Sequence, residues 1–314
     1  MPDLIRHLIV IVVLCLSFPL WAQQSELLWV GEWHHEPVAE GITLHRAAFS
    51  ENLFGANQYL CVLEVAPGVR FDIVPSAEKT LARTSEIADN CGAIAAVNGS
   101  FFNMSAPYGS VNYLRVDGQE LAPNAYDAYE NDRPQGRSIR QAGAVAIFEG
   151  AMYVLKSDDL ARWEHDIEAE DVVTAGPVLL VGGADEPLVK NDFNTRRNPR
   201  TAVGRKADGT VLLVVADGRN REAAGLSMRE LQQVMAALGC VDAINLDGGG
   251  STTMVVHGEV VNHPSDNRKF DPAGERPVAN AVIVTRSAVW RKQIPGQGWT
   301  WSGISSHLFT ASRS

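Results

Sequence analysis

Residues 227–250 read SMRELQQVMAALGCVDAINLDGGG, and this short span holds both periods of secondary structure side by side. Leu231, Val234, Met235 and Leu238 fall at i, i+3, i+4 and i+7, which makes one apolar stripe on a helix. Ser227 and Glu230 have the spacing of a capping box, and Gly239 is the expected terminator. The helix therefore runs over 227–238. Val241–Leu246 follows at once as a strand and ends on Asp247 and three glycines.

Outward from this unit, strands outnumber helices. Tyr59–Val65 and Arg70–Val74 read as a hairpin around Pro67-Gly68. Gly143–Phe148 with Met152–Leu155, Thr201–Arg205 with Thr210–Ala216, and Thr252–Val256 with Glu259–Val261 are further hairpins. They turn at Glu149-Gly150, Asp208-Gly209 and His257-Gly258. Ala93–Val97, Val172–Val181 (broken at Gly176-Pro177) and Ala279–Thr285 are further strands, and Thr80–Asn90 is a second helix. Residues 103–141 form a long polar excursion around two short strands, and a loop of that length usually covers something functional. The pattern predicts an α+β fold of mixed, largely antiparallel β-sheets with helices packed on the outside.

The chain has 314 residues, 46% apolar and 20% charged, which excludes a disordered or fibrous protein. With 27 Lys+Arg against 37 Asp+Glu the net charge is −10, and no basic cluster stands out, so a nucleic-acid partner is not expected. Arg6 and His7 precede the apolar run Leu8–Phe18, which is too short to span a bilayer, and Ala22 offers a cleavage point. Residues 1–22 thus read as a secretory signal peptide, which predicts a secreted or periplasmic protein with no stable membrane span after cleavage. Residues 23–58 are an unassigned lead-in, 59–286 a single domain and 287–314 an irregular tail; nothing in the sequence sets the oligomeric state. Cys61, Cys91 and Cys240 allow at most one disulfide. Cys91 and Cys240 each lie seven residues before an Asn or Asp that ends a strand. Were those two strands neighbours of parallel sense, the spacing would allow a Cys91–Cys240 bond; the alternative is that both are buried thiols.

Asn98, Asp217 and Asp247 each close a buried-looking strand and are followed by glycine. Such pairs are also the strongest hairpin signal, and at 117 and 208 that reading suffices. At 98, 217 and 247 no paired strand follows directly, and strand ends are where polar groups converge on a ligand. Gly248, Gly249 and Gly250 suit backbone that approaches a ligand closely or turns N–H groups toward an anion. No lysine follows them, so they are not a P-loop. Arg196, Arg197 and Arg200 precede one strand, and Arg219 and Arg221 follow another; a planar guanidinium suits phosphate.

The ordered series Ala95–Phe102, Asn198–Gly204, Val215–Arg219, Gly225-Leu226-Ser227 with Glu230, Ala243–Thr252 and Arg276–Asn280 resembles the phosphodiester glycosidase family. The likeness runs from about residue 60 to 286. Ser100 departs from the pattern, standing where the family usually has glycine. The resemblance implies hydrolysis of a sugar-1-phosphodiester, N-acetylglucosamine included, to free sugar and a phosphomonoester, with a carbohydrate or glycan-phosphate substrate. Carboxylates stabilise an oxocarbenium-like transition state in such chemistry. On this reading Asp247 and Asp217 supply a nucleophile or base and an acid or electrostatic partner, and Arg200 and Arg219 hold the phosphate. The N–H groups of Gly248, Gly249, Gly250 and Ser251 share that task. Asn98, Gly99, Asn245 and Thr252 face the sugar. Two other readings stay open at this point. One is a metal-dependent phosphodiesterase of the cell envelope, in which the aspartates and an Asn hold Ca²⁺ or Mg²⁺. The other is a non-catalytic glycan-binding protein of the envelope.

Overall fold

The computed structural model describes residues 26, 28, 30–124, 129–130, 133–134, 138–157, 162–286, 291–294 and 298–301. The signal-peptide reading of 1–22 lies outside them. Three antiparallel sheets enclose a common core. Sheet I has eight strands, in the order His34–Ala39, Ile42–Phe49, Gln58–Val65, Val211–Ala216, Arg200–Lys206, Cys240–Asn245, Val178–Val181 and Ala184–Asp185. Sheet II has five: Ala151–Lys156, Gly143–Phe148, Asp171–Ala175, Leu114–Val116 and Gln119–Ala122. Sheet III has five: Glu259–Val260, Met254–Val256, Ala95–Asn98, Asn280–Thr285 and Arg70–Pro75.

The alternation along each strand explains why the runs look uniformly apolar. In Val211–Ala216 every residue is buried. Val211, Leu213 and Val215 face the common core, while Leu212, Val214 and Ala216 face a second core shared with the helix Met228–Ala237. Sheet III repeats the device, with Val282 and Val284 inward and Ala281 and Ile283 against the helix Thr84–Cys91. In sheet II, Val145 and Ile147 point inward and Ala144 and Ala146 point to a smaller cluster around Tyr113 and Trp163. A strand covered on both faces loses the polar alternation of a half-exposed one. Each fully buried Leu or Val on these strands contributes about 1.5–3 kcal/mol.

The hairpins expected at Glu149-Gly150, Asp208-Gly209 and His257-Gly258 form in register. The helix over 228–237 starts at Ser227 with a complete capping box to Glu230. Three local expectations are corrected. Gln58–Val65 and Arg70–Pro75 are consecutive but do not pair: the first joins sheet I and the second joins sheet III. Pro67-Gly68 is therefore a crossing between sheets. Gly176-Pro177 is a second crossing, from sheet II to sheet I, and Gly176 is needed there because a Cβ would lie 1.9 Å from the Ile139 carbonyl oxygen. The lead-in 23–58 supplies the two outermost strands on one side of sheet I, His34–Ala39 at the edge and Ile42–Phe49 next to it. Within the tail read as irregular, Arg291–Ile294 and Gly298–Trp301 pair as a short ribbon.

Of the two cysteine alternatives the buried thiols hold, for a topological reason. The strand after Cys91 lies in sheet III, whereas Cys240 begins a strand of sheet I. Cys61, Cys91 and Cys240 are all free and buried.

Candidate active site

Antiparallel register brings the chemistry to one end of the core. Arg200 pairs with Ala216 and Ala202 with Asn245, so Arg200, Asp217 and Asp247 stand at the same edge of sheet I. Sheet III meets this edge through Asn98. Its Nδ2 donates to the Asp247 carbonyl at 2.7 Å, and the Asp247 N–H donates to the Gly99 carbonyl at 3.0 Å. The Asn98 Oδ1 accepts from the Thr201 hydroxyl at 2.7 Å and from the Thr253 N–H at 3.1 Å. One fully buried carboxamide thus fastens two sheets at the point where the site begins.

A cleft of about 310 Å³ opens beside this fastening. Asp247 lies on its floor with Gly248, Gly249 and Gly250, and its walls carry Arg140, Arg200, Arg219 and Arg276. Phe101, Phe102, Met104 and Phe193 complete it on the apolar side. Asp247 is recessed but reached from the cleft. Burial pushes its carboxyl up to about 6, against the pull of the Ser251 hydroxyl, the Arg276 guanidinium and the Gly248 N–H, which donates to Oδ1 at 2.9 Å.

Each arginine is held differently. Arg200 is 2% exposed; its Nε donates to the Leu226 carbonyl at 2.8 Å and one terminal nitrogen donates to the carbonyls of Phe193 and Arg196. It has no carboxylate partner among the described residues, and burial pushes it down to about 10. Arg219 sits in the left-handed region at φ 65° and leans on the Asn198 Oδ1 at 3.2 Å. Burial lowers its value, and neighbouring Arg276 lowers it further. Backbone in that region costs about 1–3 kcal/mol outside glycine, and such strain gathers at functional sites. Arg276 is clamped by Asp266, with Nε to Oδ1 at 2.9 Å. The Arg140 guanidinium lies 5.0 Å from the ring centroid of Phe101 and 5.3 Å from that of Phe193.

The three glycines make room. A Cβ at Gly248 would meet the Pro199 carbonyl oxygen at 2.7 Å, one at Gly249 a guanidinium nitrogen of Arg219 at 2.7 Å, and one at Gly250 a guanidinium nitrogen of Arg276 at 2.4 Å. Three of the four amides expected to form an anion cradle are engaged within the protein instead. The Gly248 N–H is used by Asp247, the Gly249 N–H by Pro199 and the Ser251 N–H by Gly248.

The structure therefore brings Asp247, Arg200, Arg219 and Gly248–Gly250 together, and leaves other expected residues behind the wall. Asp217 is 1% exposed and does not share the cleft. It accepts from Asn262 Nδ2 at 2.9 Å, from the His263 N–H and from His263 Nδ1 at 2.7 Å. Burial raises its value, and the bonds to His263 and Asn262 oppose that rise. Asn98, Asn245, Ser251 and Thr252 are fully buried and face protein, so they do not line the cleft. Gly99 is packed so tightly that a Cβ would fall 1.9 Å from Asn280 Oδ1. Ser100 is accommodated there by Asn280 Nδ2, which donates to its hydroxyl at 2.7 Å. Arg196 and Arg197 are bound instead to Asp192 and Glu230.

Sequence reasoning assigned no role to Arg140, Arg276, Phe101 or Phe193. Arg276 carried a signal, since it opens the motif Arg276–Asn280; Arg140 lay in the long polar excursion. No group of three His, Cys, Asp or Glu able to hold a metal ion occurs among the described residues. In particular the donor set proposed for Ca²⁺ or Mg²⁺ does not assemble, because the Asp217 oxygens and the Asn98 amide oxygen are already taken by N–H and O–H donors.

A cleft of guanidinium groups around one recessed carboxylate, where antiparallel strands of two sheets end, defines an enzyme-like site for a bound anion. The chain belongs to the phosphodiester glycosidase family, whose profile matches residues 91–285. It is 44% identical over 214 residues to N-acetylglucosamine-1-phosphodiester α-N-acetylglucosaminidase of Mus musculus, covering 61% of this chain and 37% of that protein. The Bos taurus protein of the same name is 28% identical over 214 residues, 61% of this chain and 36% of that one. The chain thus spans about a third of the length of these curated relatives. The fold is shared with the zebrafish catalytic domain of that name, solved in a form auto-inhibited by its pro-peptide. There the TM-score is 0.60 at 16% identity, over 82% of this chain and 88% of that one.

Proposed function

We propose that this protein is a secreted or periplasmic hydrolase that cleaves the glycosidic C–O bond of a sugar-1-phosphodiester, releasing free sugar and a phosphomonoester. The observation that carries this reading is the placement of a single carboxylate, Asp247, opposite several guanidinium groups in one cleft. Asp247 supplies negative charge to the anomeric carbon as the bond to phosphate lengthens, either by attacking it or by activating water. The departing phosphate takes up the electron pair, and Arg200, Arg219 and Arg276 stabilise that charge; each charge-assisted contact is worth about 1.5–3 kcal/mol.

A two-carboxylate glycosidase needs its second group to protonate a poor leaving group. A phosphomonoester leaves as an anion without that help, which fits a cleft lined by Asp247 with Asp217 outside it. Asp217 acts in this scheme as a positioning residue: it anchors Asn262 and His263, at the start of the segment that carries Asp266 and Arg276. The apolar wall of Phe101 and Phe193 takes a face of the sugar. The secretory route rests on the leader-like 1–22. No helix among the described residues is long and apolar enough to cross a membrane.

Hydrolysis of methyl N-acetyl-α-glucosaminyl phosphate in ¹⁸O-water tests the bond cleaved. Label in the released sugar is expected. Label in the phosphate identifies P–O cleavage and overturns the proposal.

A further inference from the structure

Arg276 reaches the cleft from residues 261–279, a connection between the strands Glu259–Val260 and Asn280–Thr285 that contains no helix or strand. Connections of that length are uncommon in a compact fold unless they serve a site. An arginine carried on such a segment needs its backbone fixed from outside, because ordering a long connection costs conformational entropy at every residue. Asp266 grips the Arg276 guanidinium, but Asp266 lies on the same segment and moves with it. The near end of the segment is held by Asp217 through His263. The far end has its own anchor, one residue before Arg276.

Glu275 does not line the cleft; it reaches instead to the first turn of the helix Thr84–Cys91. The Ser85 N–H donates to its Oε1 at 2.8 Å and the Ser85 hydroxyl donates to its Oε2 at 2.6 Å. Both carboxylate oxygens are thus used on one residue at a helix N-terminus, where negative charge is favoured. Two residues past Arg276, Val278 exchanges backbone bonds with Ala82, at 2.8 Å and 3.0 Å. Arg276 therefore sits between two fixtures on the same short stretch, 82–85. The helix behind them is packed on sheet III through Ile87, Ala88 and Cys91. Pro277 adds to the constraint, since the residue before a proline is kept out of the helical backbone region. With Val278 fixed and the backbone at 276 restricted, the grip of Glu275 sets the direction from which the guanidinium enters the cleft.

We infer that Glu275, through Ser85, is a positioning residue for Arg276 and so for the anion-binding side of the cleft. This rests on the hydrolytic reading of the cleft, and the test includes a readout without hydrolysis. Charge alone predicts the opposite sign, because removing a carboxylate near a cationic cleft tightens an anion. Misplacement weakens it, and a displacement of about 1 Å can cost about 10²-fold in rate. With Asp266 still holding Arg276, Glu275→Ala is expected to raise the Kd for inorganic phosphate, followed by calorimetry, about tenfold. The kcat/KM for methyl N-acetyl-α-glucosaminyl phosphate should fall by a similar factor. Glu275→Gln keeps an acceptor for the Ser85 N–H and a partner for its hydroxyl, so it should bring both values back to within about threefold of the unaltered protein. Glu275→Ala added to Arg276→Ala should cost no more than about twofold beyond Arg276→Ala alone, because both act through one guanidinium.

Phosphate binding that is unchanged or tighter in Glu275→Ala overturns the inference, even if the melting temperature falls. So does a loss that adds in full to that of Arg276→Ala, because Glu275 then acts on the fold and not through the arginine. Should Glu275→Ala fail to fold, Ser85→Ala removes the hydroxyl bond alone and is expected to weaken phosphate about threefold; no weakening there overturns the inference as well. If the ester is not hydrolysed but phosphate binding follows this pattern, the positioning role stands and only the hydrolytic reading falls. If the unaltered protein neither hydrolyses the ester nor binds phosphate, both fall.

Discussion

Asp247→Asn should cut turnover by orders of magnitude and at the same time make the protein more stable at neutral pH. The carboxyl is raised by burial from 3.8 to about 6. Below pH 3.8 it is protonated in both the folded and unfolded states and contributes no difference. Between 3.8 and 6 the folded state keeps a proton that the unfolded state releases, so stability falls as pH rises through that window. The loss is complete above about pH 6 and amounts to about 3 kcal/mol, at 1.36 kcal/mol per pH unit. The carboxamide keeps the shape and the acceptor for the Gly248 N–H but carries no charge to bury. Thermal unfolding at pH 7 should therefore rise by about 6 °C, at roughly 2 °C per kcal/mol for a protein of this size, and the gain should vanish near pH 4. Turnover should fall by about 10²–10⁴-fold, the range associated with a positioned proton-transfer group. In the unaltered protein the acid limb of kcat/KM should fall off near pH 6. A stability difference that is negative, or the same at pH 4 and pH 7, refutes the claim that burial raises this group. Turnover within a few-fold of the unaltered protein removes Asp247 from the chemistry.

Four further outcomes follow from named contacts. Gly250→Ala, at a backbone position without positive φ, should push Arg276 aside and cut kcat/KM about tenfold or more, with melting temperature little changed. Gly249→Ala should lose activity and about 1 kcal/mol of stability as well, because Gly249 lies at φ +63°; circular dichroism melts with initial rates compare the two. Arg219→Lys keeps the charge but loses the planar fork, so inhibition by inorganic phosphate should weaken about tenfold, measured as Ki. Asp217→Ala leaves the Asn262 and His263 donors without their acceptor in a buried site and should cost about 2–4 kcal/mol in urea unfolding, with activity of the folded protein reduced through Arg276.

Local signals placed most elements. The capping box at Ser227 and Glu230, the apolar stripe behind it and the turn dipeptides at 149, 208 and 257 carry their physics within a few residues, and each forms as read. Pairing partners are another matter. The sequence around Pro67-Gly68 is that of a hairpin, yet the two strands part into different sheets. That choice depends on which apolar surfaces meet, and strands covered on both faces carry no alternation to reveal it.

The site divides along the same line. That Asp247 and its glycines, Arg200 and Arg219 matter could be read from residue type, spacing and the family resemblance, because a strand-ending carboxylate and planar cations have recognisable chemistry. Whether an acid reaches substrate depends on what surrounds it in space. Asp217 and Asp247 look alike in sequence, but Asn262 and His263, some 45 residues further along, close over the first and leave the second open to the cleft. Arg140 and Arg276 come from segments 136 residues apart, 140 and 276, and only the meeting of the sheets sets them at one opening. The glycines were legible as a demand for room, while the atoms that need it, two guanidinium groups and a carbonyl, became visible only with the fold.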